Sequence, residues 1–268
     1  MKNRVNNEVL NISYSTLFDI RIPWNTVELY ETACKLGFDG IKGDVCPTSD
    51  GKLIMCHDAE FWFDDNGRVF EPGATGVYSK QICDMTYDEC KQLEYESEGA
   101  KENLGYYGKV AGLEDLIRVC HTYSKFPYIT VRDKQIELCV EEVYRLLVKY
   151  NMTNQCMINS FTYETLKAVR EKDDSICLSY VQDLNNPLTA EMIDTAAELG
   201  NCVVCAFWSV TDKRIFDEMY DKSKTAIEYA KKKEVILYLA HGADKESYRL
   251  GIERGFKGFQ CTASDAFL

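Results

Sequence analysis

Two short stretches of this 268-residue chain carry side chains able to move protons and hold charge close together. The first opens as Lys42-Gly43-Asp44 and, after Thr48-Ser49-Asp50-Gly51, returns as His57-Asp58. The second is Thr130-Val131-Arg132-Asp133-Lys134. A histidine beside a carboxylate suits general acid–base chemistry, and clustered lysine and arginine neutralise charge on a phosphoryl group. Residues two apart in a strand share a face, so Lys42 pairs with Asp44 and Arg132 with Lys134. Two further β-rich runs end in Phe207-Trp208 and in Leu239-Ala240-His241, offering an aromatic wall and a second imidazole.

These residues need a scaffold that brings strand ends together. Eight β-rich runs are spread along the chain: 9–14, 38–45, 128–131, 155–159, 176–180, 202–207, 235–240 and 256–261. Amphipathic stretches lie between most of them, for example 26–36, with Val27, Tyr30, Ala33 and Cys34 on one face, and 137–150, with Leu138, Val140, Val143, Leu146 and Leu147. Eight strands with helical crossovers predict a parallel sheet, and closure gives an α/β fold of the (β/α)8 TIM type spanning residues 1–268 as one domain. Catalytic groups of such a barrel sit at the C-terminal strand ends, where the residues above fall.

One long excursion, residues 46–126, interrupts the repeat after the second strand. Asp50-Gly51 between apolar runs predicts a hairpin, because tight turns need residues that tolerate positive φ. A two-residue loop would set Ser49 opposite Lys52 and, counting outward, Asp44 opposite His57. The segment 63–79 reads as loop. Thr86, with Glu89 three residues on, predicts a capped helix over 86–93, and 113–123 predicts another.

Composition excludes some partners. The net charge of −12 repels nucleic acid and anionic membrane surfaces, so a phosphate site needs a local basic patch. The first thirteen residues hold no long apolar run, and no later segment is apolar for long enough to span a bilayer, which predicts a cytoplasmic protein without stable membrane insertion. Twelve scattered cysteines are expected to be reduced thiols. Cys202 and Cys205 lie in one strand run, on opposite faces, and form no zinc set.

Taken in order, the motifs resemble the glycerophosphodiester phosphodiesterase family. Pro23-Trp24-Asn25-Thr26 is similar to the family's Pro-Glu-Asn-Thr helix opening, and Lys42-Gly43-Asp44 to its Glu-x-Asp. Thr48-Ser49-Asp50-Gly51, His57-Asp58 and Ser160-Phe161 match its pattern outright, and Arg132-Asp133-Lys134 is similar to its Glu-x-Lys. The resemblance implies phosphoric diester hydrolysis, a small phosphate-bearing ligand, two proton-transferring histidines, and carboxylates holding Mg²⁺ or Ca²⁺.

The chain departs from that pattern at its charged positions. The first histidine is absent, its place falling within Ser13–Ser15, and two of the metal carboxylates are Lys42 and Arg132. Two anions replaced by two cations is a change of four charge units, which predicts a site with no metal and no other cofactor, Asp44 being the one remaining candidate ligand. The expected catalytic residues are His57 and His241. The expected substrate-binding residues are Lys42, Arg132, Lys134 and Trp208, with arginine suited to bidentate phosphate contacts. Two other functions fit the same residues. One is a non-catalytic barrel that binds an anionic, phosphate-bearing ligand or partner; against any ligand site stands the alternative that Lys42 and Arg132 form a satisfied ion network with Asp44. The other is a lyase using Lys42 or Lys134 as a Schiff-base amine. Nothing in the sequence sets the oligomeric state.

Overall fold

The computed structural model describes residues 1–15, 17, 19–20, 22–70, 76–96, 107–132, 135–208, 212–242, 245–265 and 267. Strands β1 (Leu10–Ser13) and β2 (Gly40–Pro47) begin a barrel. β2 turns into the short antiparallel β3 (Leu53–Met55). A separate sheet follows, built from β4 (Glu60–Phe63), β5 (Val69–Phe70), β6 (Tyr78–Gln81), β7 (Glu94–Glu96) and β8 (Tyr107–Lys109) in the order β6-β4-β5-β7-β8. The barrel resumes with β9 (Phe126–Thr130), β10 (Met157–Ser160), β11 (Cys177–Val181), β12 (Cys202–Phe207), β13 (Leu237–Gly242) and β14 (Gly258–Cys261). β14 pairs in parallel with β1, and β1 with β2, so the eight-stranded parallel barrel closes. All eight strand runs read from the sequence are barrel strands, with ends shifted by up to a few residues.

Alternation divides each strand between two cores. Leu10, Ile12, Phe126, Tyr128, Met157, Val203 and Cys205 fill the barrel interior. Ile41, Ile129, Ile158, Leu178, Val204 and Leu239 face outward and pack beneath the helices. Those helices bury most of the predicted stripes: Val27–Lys35 buries Tyr30, Ala33 and Cys34 with Leu29, and Ile136–Lys149 buries Val140, Val143, Leu146 and Leu147 with Cys139, while Val27 and Leu138 are only partly covered. The Thr26 hydroxyl caps the first of them by accepting the Leu29 N–H. Cys205 lies inside the barrel and Cys202 packs on the outer core, so the pair does face opposite ways. Every cysteine is a free thiol. Among the described residues no helix is long and apolar enough to cross a membrane.

The excursion departs from its sequence reading. The segment read as loop contains strands, and Phe61, Phe63 and Val69 anchor a third core with Ile54, Cys56, Ile82 and Tyr95. Strands of two to four residues are too short for an alternation signal to register. The capping box at Thr86 forms as predicted: Thr86 Oγ1 accepts the Glu89 N–H, and the Glu89 carboxylate accepts the Thr86 N–H. The helix it starts, Tyr87–Lys91, is held to the barrel side by Lys91, which donates to Asp115 at 2.6 Å and to the Val110 carbonyl at 2.7 Å.

Candidate active site at the mouth of the barrel

The hairpin turn is a three-residue loop, not the expected two-residue one. The Gly51 N–H donates to the Thr48 carbonyl, the Thr48 N–H to the Lys52 carbonyl, and Gly51 takes φ +76°. This is a β-turn closed by a left-handed glycine. The extra residue shifts the register by one: Val45 faces Met55, Cys46 faces Ile54, and the Cys56 N–H donates to the Asp44 carbonyl. Asp44 therefore lies opposite Cys56, and the expected pairing with His57 is corrected. His57 comes after the ladder ends, in the bend before β4. Leaving the strand lets it face the barrel mouth without being bound by the period of two.

A cavity of about 420 Å³ opens at the C-terminal ends of the strands, with Tyr14, Lys42, Asp44, His57, Arg132 and Phe161 among its lining residues. At its base Lys42 Nζ donates to both oxygens of Asp44, at 2.7 and 2.8 Å. Both residues are almost wholly buried, at 4% and 1% exposure. Burial pulls the Lys42 ammonium below its ordinary value, against the opposing pull of Asp44. Burial also pushes Asp44 up, but the Lys42, His57 and Arg132 charges outweigh it and hold the carboxyl below its usual range. The Lys42 ammonium also lies 4.5 Å from the centre of the Tyr14 ring. Burial, reinforced by Asp44, raises the Tyr14 phenol well above its ordinary value, so Tyr14 is a neutral hydrogen-bonding group.

His57 Nδ1 pairs with Asp58 Oδ1 at 2.6 Å, and the Trp24 ring meets the imidazole edge-on at 6.1 Å. With Nδ1 engaged, Nε2 is the atom left for proton transfer. Arg132 is exposed in the cavity and has no carboxylate partner among the described residues. Phe161 and Phe207 meet edge-to-face at 6.0 Å on the rim.

The structure thus brings Lys42, Asp44, His57 and Arg132 into one cavity. Trp208 is not there: it is fully buried in the outer core, edge-on to Phe216 and Phe256, and its indole N–H donates to the Asn186 carbonyl at 2.8 Å. Strand parity explains the correction, since Val203, Cys205 and Phe207 face inward and Trp208 follows on the other side. His241 lies at a register break between Ala240 and Gly242 in the pairing of β13 with β14. That bulge interrupts the alternation from which an inward placement was read. The His241 side chain lies outside the described residues, as does Lys134 entirely. Tyr14, Thr130 and Gln260 were missed. Of the Ser13–Ser15 segment, Tyr14 is the residue that lines the cavity. Parity counted from Leu10 and Ile12 would have pointed to it. Among the described residues no three histidine, cysteine, aspartate or glutamate side chains converge as a metal cage.

Comparison with known proteins bears on this site. A model of the glycerophosphoryl diester phosphodiesterase family matches residues 19–254. A glycerophosphodiester phosphodiesterase of Bacillus subtilis is 29% identical over 190 residues, covering 66% of this chain and 60% of its own length. One from Caldanaerobacter subterraneus subsp. tengcongensis is 26% identical over 161 residues, covering 56% of this chain and 57% of its own length. The matches thus span under two thirds of these relatives. A phosphodiesterase of Oleispira antarctica, solved with the product sn-glycerol 3-phosphate, superposes with a TM-score of 0.76 at 14% identity, covering 97% of this chain and 95% of that one.

Proposed function

This chain belongs to the glycerophosphoryl diester phosphodiesterase family, and from that premise we propose that it hydrolyses a glycerophosphodiester at the barrel mouth without a divalent cation. The observation that carries the proposal is the company Asp44 keeps. A Lys42 ammonium holds both of its oxygens, while His57, paired with Asp58, and Arg132, without a carboxylate partner among the described residues, line the same cavity.

A hard divalent cation takes six to eight oxygen ligands or a near-ideal octahedron. Among the described residues the one buried carboxylate has an ammonium on both of its oxygens, and a guanidinium lines the same cavity. That donor set does not fit Mg²⁺ or Ca²⁺, so no step is routed through a metal. Arg132 instead grips the phosphate, supplying the bidentate charge-assisted contacts its fork allows. His57 Nε2 takes a proton from the attacking water as its oxygen bonds to phosphorus. It then returns that proton to the leaving alkoxide as the ester P–O bond breaks. One water is consumed, and a phosphate monoester and an alcohol result. The Lys42 amine is committed to Asp44, which speaks against a Schiff-base role.

The test is hydrolysis of glycerophosphocholine and related diesters in EDTA and in Mg²⁺ or Ca²⁺, together with calorimetric titration of each cation. Equal rates and no cation binding are expected. Stoichiometric binding that Asp44→Asn abolishes would refute the metal-free centre. A second reading, ligand binding without cleavage, is favoured by one observation: His57 is the only imidazole among the described side chains of the cavity. Retained binding of sn-glycerol 3-phosphate with no turnover of any diester would select it.

A further inference from the structure

The floor of the mouth cavity is polar where a barrel of this type is ordinarily filled by branched apolar side chains. Tyr128, Thr130, Asn159, Ser179 and Gln260 meet there, none more than 2% exposed. Buried polar groups at such a depth are tolerated when each is hydrogen-bonded, so the donors and acceptors can be counted.

The Tyr128 hydroxyl is the hub. It donates to Asn159 Oδ1 at 2.8 Å, lies 2.8 Å from Ser179 Oγ, and accepts from Gln260 Nε2 at 2.9 Å. Its single hydrogen goes to Asn159, so Ser179 is the donor in the second contact. Gln260 Nε2 gives its other hydrogen to Cys205 Sγ at 3.3 Å. Both Gln260 amide hydrogens are then spent, and its unused group is the acceptor Oε1. Asn159 spends Oδ1 on Tyr128 and one Nδ2 hydrogen on Thr130 Oγ1 at 3.0 Å, keeping the other hydrogen as a donor. None of these atoms is among the side-chain polar atoms sealed from solvent without a partner, and Asn159, Thr130 and Gln260 all line the cavity. The unspent Gln260 acceptor therefore opens on it, and Asn159, which lines the same cavity, keeps one amide hydrogen unspent.

We infer that this floor reads the hydroxyl groups of the substrate's glycerol moiety, with Tyr128 as the positioning residue that holds both amides in the required sense. A hydroxyl is the group that can donate to Gln260 Oε1 and accept from Asn159 Nδ2 at once. A phosphate oxygen cannot donate to Gln260, and an alkyl chain can do neither. The inference rests on the hydrolase reading above for its choice of ligand. It assigns the phosphate end to Arg132 and the polyol end to the floor.

The experiment compares calorimetric binding of sn-glycerol 3-phosphate with that of propyl phosphate, which has the same carbon count and no free hydroxyl. A site built to bond a hydroxyl rejects the analogue that lacks it, because its own polar groups are left unpaired. Wild type is expected to prefer the glycerol ester by about tenfold or more. Gln260→Met and Tyr128→Phe are expected to bring the ratio toward one without weakening propyl phosphate. Thermal melts establish that each variant is folded, and the wild-type ratio decides the matter if neither is. Equal wild-type affinity for the two esters overturns the hydroxyl-reading floor and leaves the hydrolase reading standing. Binding of neither ester overturns both.

Discussion

The barrel has an opening at each end, and the two differ in what lies behind their charges. The larger, about 770 Å³, lies at the N-terminal ends of β12, β13 and β14, with Lys2, Lys231, Lys233, Lys257 and Glu234 along its edge. Three of these four cations serve local needs. Lys233 pairs with Asp194 at 3.0 Å, Lys257 donates to the Asn6 carbonyl at 3.0 Å, and Lys231 sits in the last turn of the helix Lys213–Lys232, where it complements the helix dipole. The mouth cavity, about 420 Å³, is smaller, yet it holds an ion pair buried to within a few per cent. Volume therefore does not mark the site. Charges kept out of water in a fixed geometry do, because that arrangement costs free energy that structural packing alone does not require.

The sharpest way to break this contrast is to remove the proposed proton carrier. His57→Ala is expected to lower kcat on a glycerophosphodiester by about 10²- to 10⁴-fold, measured in EDTA; an unchanged rate would end the assignment of His57 as the proton carrier. Asp44→Ala comes next. It leaves the Lys42 ammonium buried without a counter-charge and is expected to cost about 3–5 kcal/mol in denaturant unfolding. The same residue carries a pH signature. Its folded carboxyl lies below the unfolded value of about 3.9, so its stabilisation is complete above that value and is lost as pH falls through the folded one. The stability gap between wild type and Asp44→Asn should accordingly narrow as the pH is taken from 6 toward 2. Arg132→Ala has a smaller effect: affinity for sn-glycerol 3-phosphate is expected to drop about 10- to 100-fold with little change in melting temperature, since the side chain is exposed. Smallest is Lys231→Ala at the opposite end, for which stability, ligand affinity and rate are all expected to match wild type. Any loss of affinity there would make the larger opening a site after all.

Much of the scaffold was legible beforehand because it rests on repeating local signals. The amphipathic stripe of Ile136–Lys149, the Thr86–Glu89 spacing of the capping box and the eight β-rich runs are each set by residues close in sequence, without reference to distant ones. The readings that failed all hinge on a single residue of phase. One extra loop residue moved Asp44 from His57 to Cys56, and one step of parity put Trp208 in the outer core in place of Phe207 at the cavity. Strands as short as Val69–Phe70 carried no phase to read.

By itself the sequence determined the barrel, the family and the exchange of carboxylates for cations at Lys42 and Arg132, because those follow from residue type and order. Tertiary structure alone decided which side chains share the mouth. It folded Lys42 back onto both oxygens of Asp44, left Arg132 without a partner among the described residues, and gathered Tyr128, Asn159 and Gln260 from three strands into one polar floor. The Arg132 and polar-floor outcomes depend on distances between residues far apart in the chain, and even the Lys42–Asp44 contact, two residues apart, is sealed from water only when the barrel closes over it. A buried charge or amide must find its partner wherever closure of the barrel brings one within hydrogen-bonding reach.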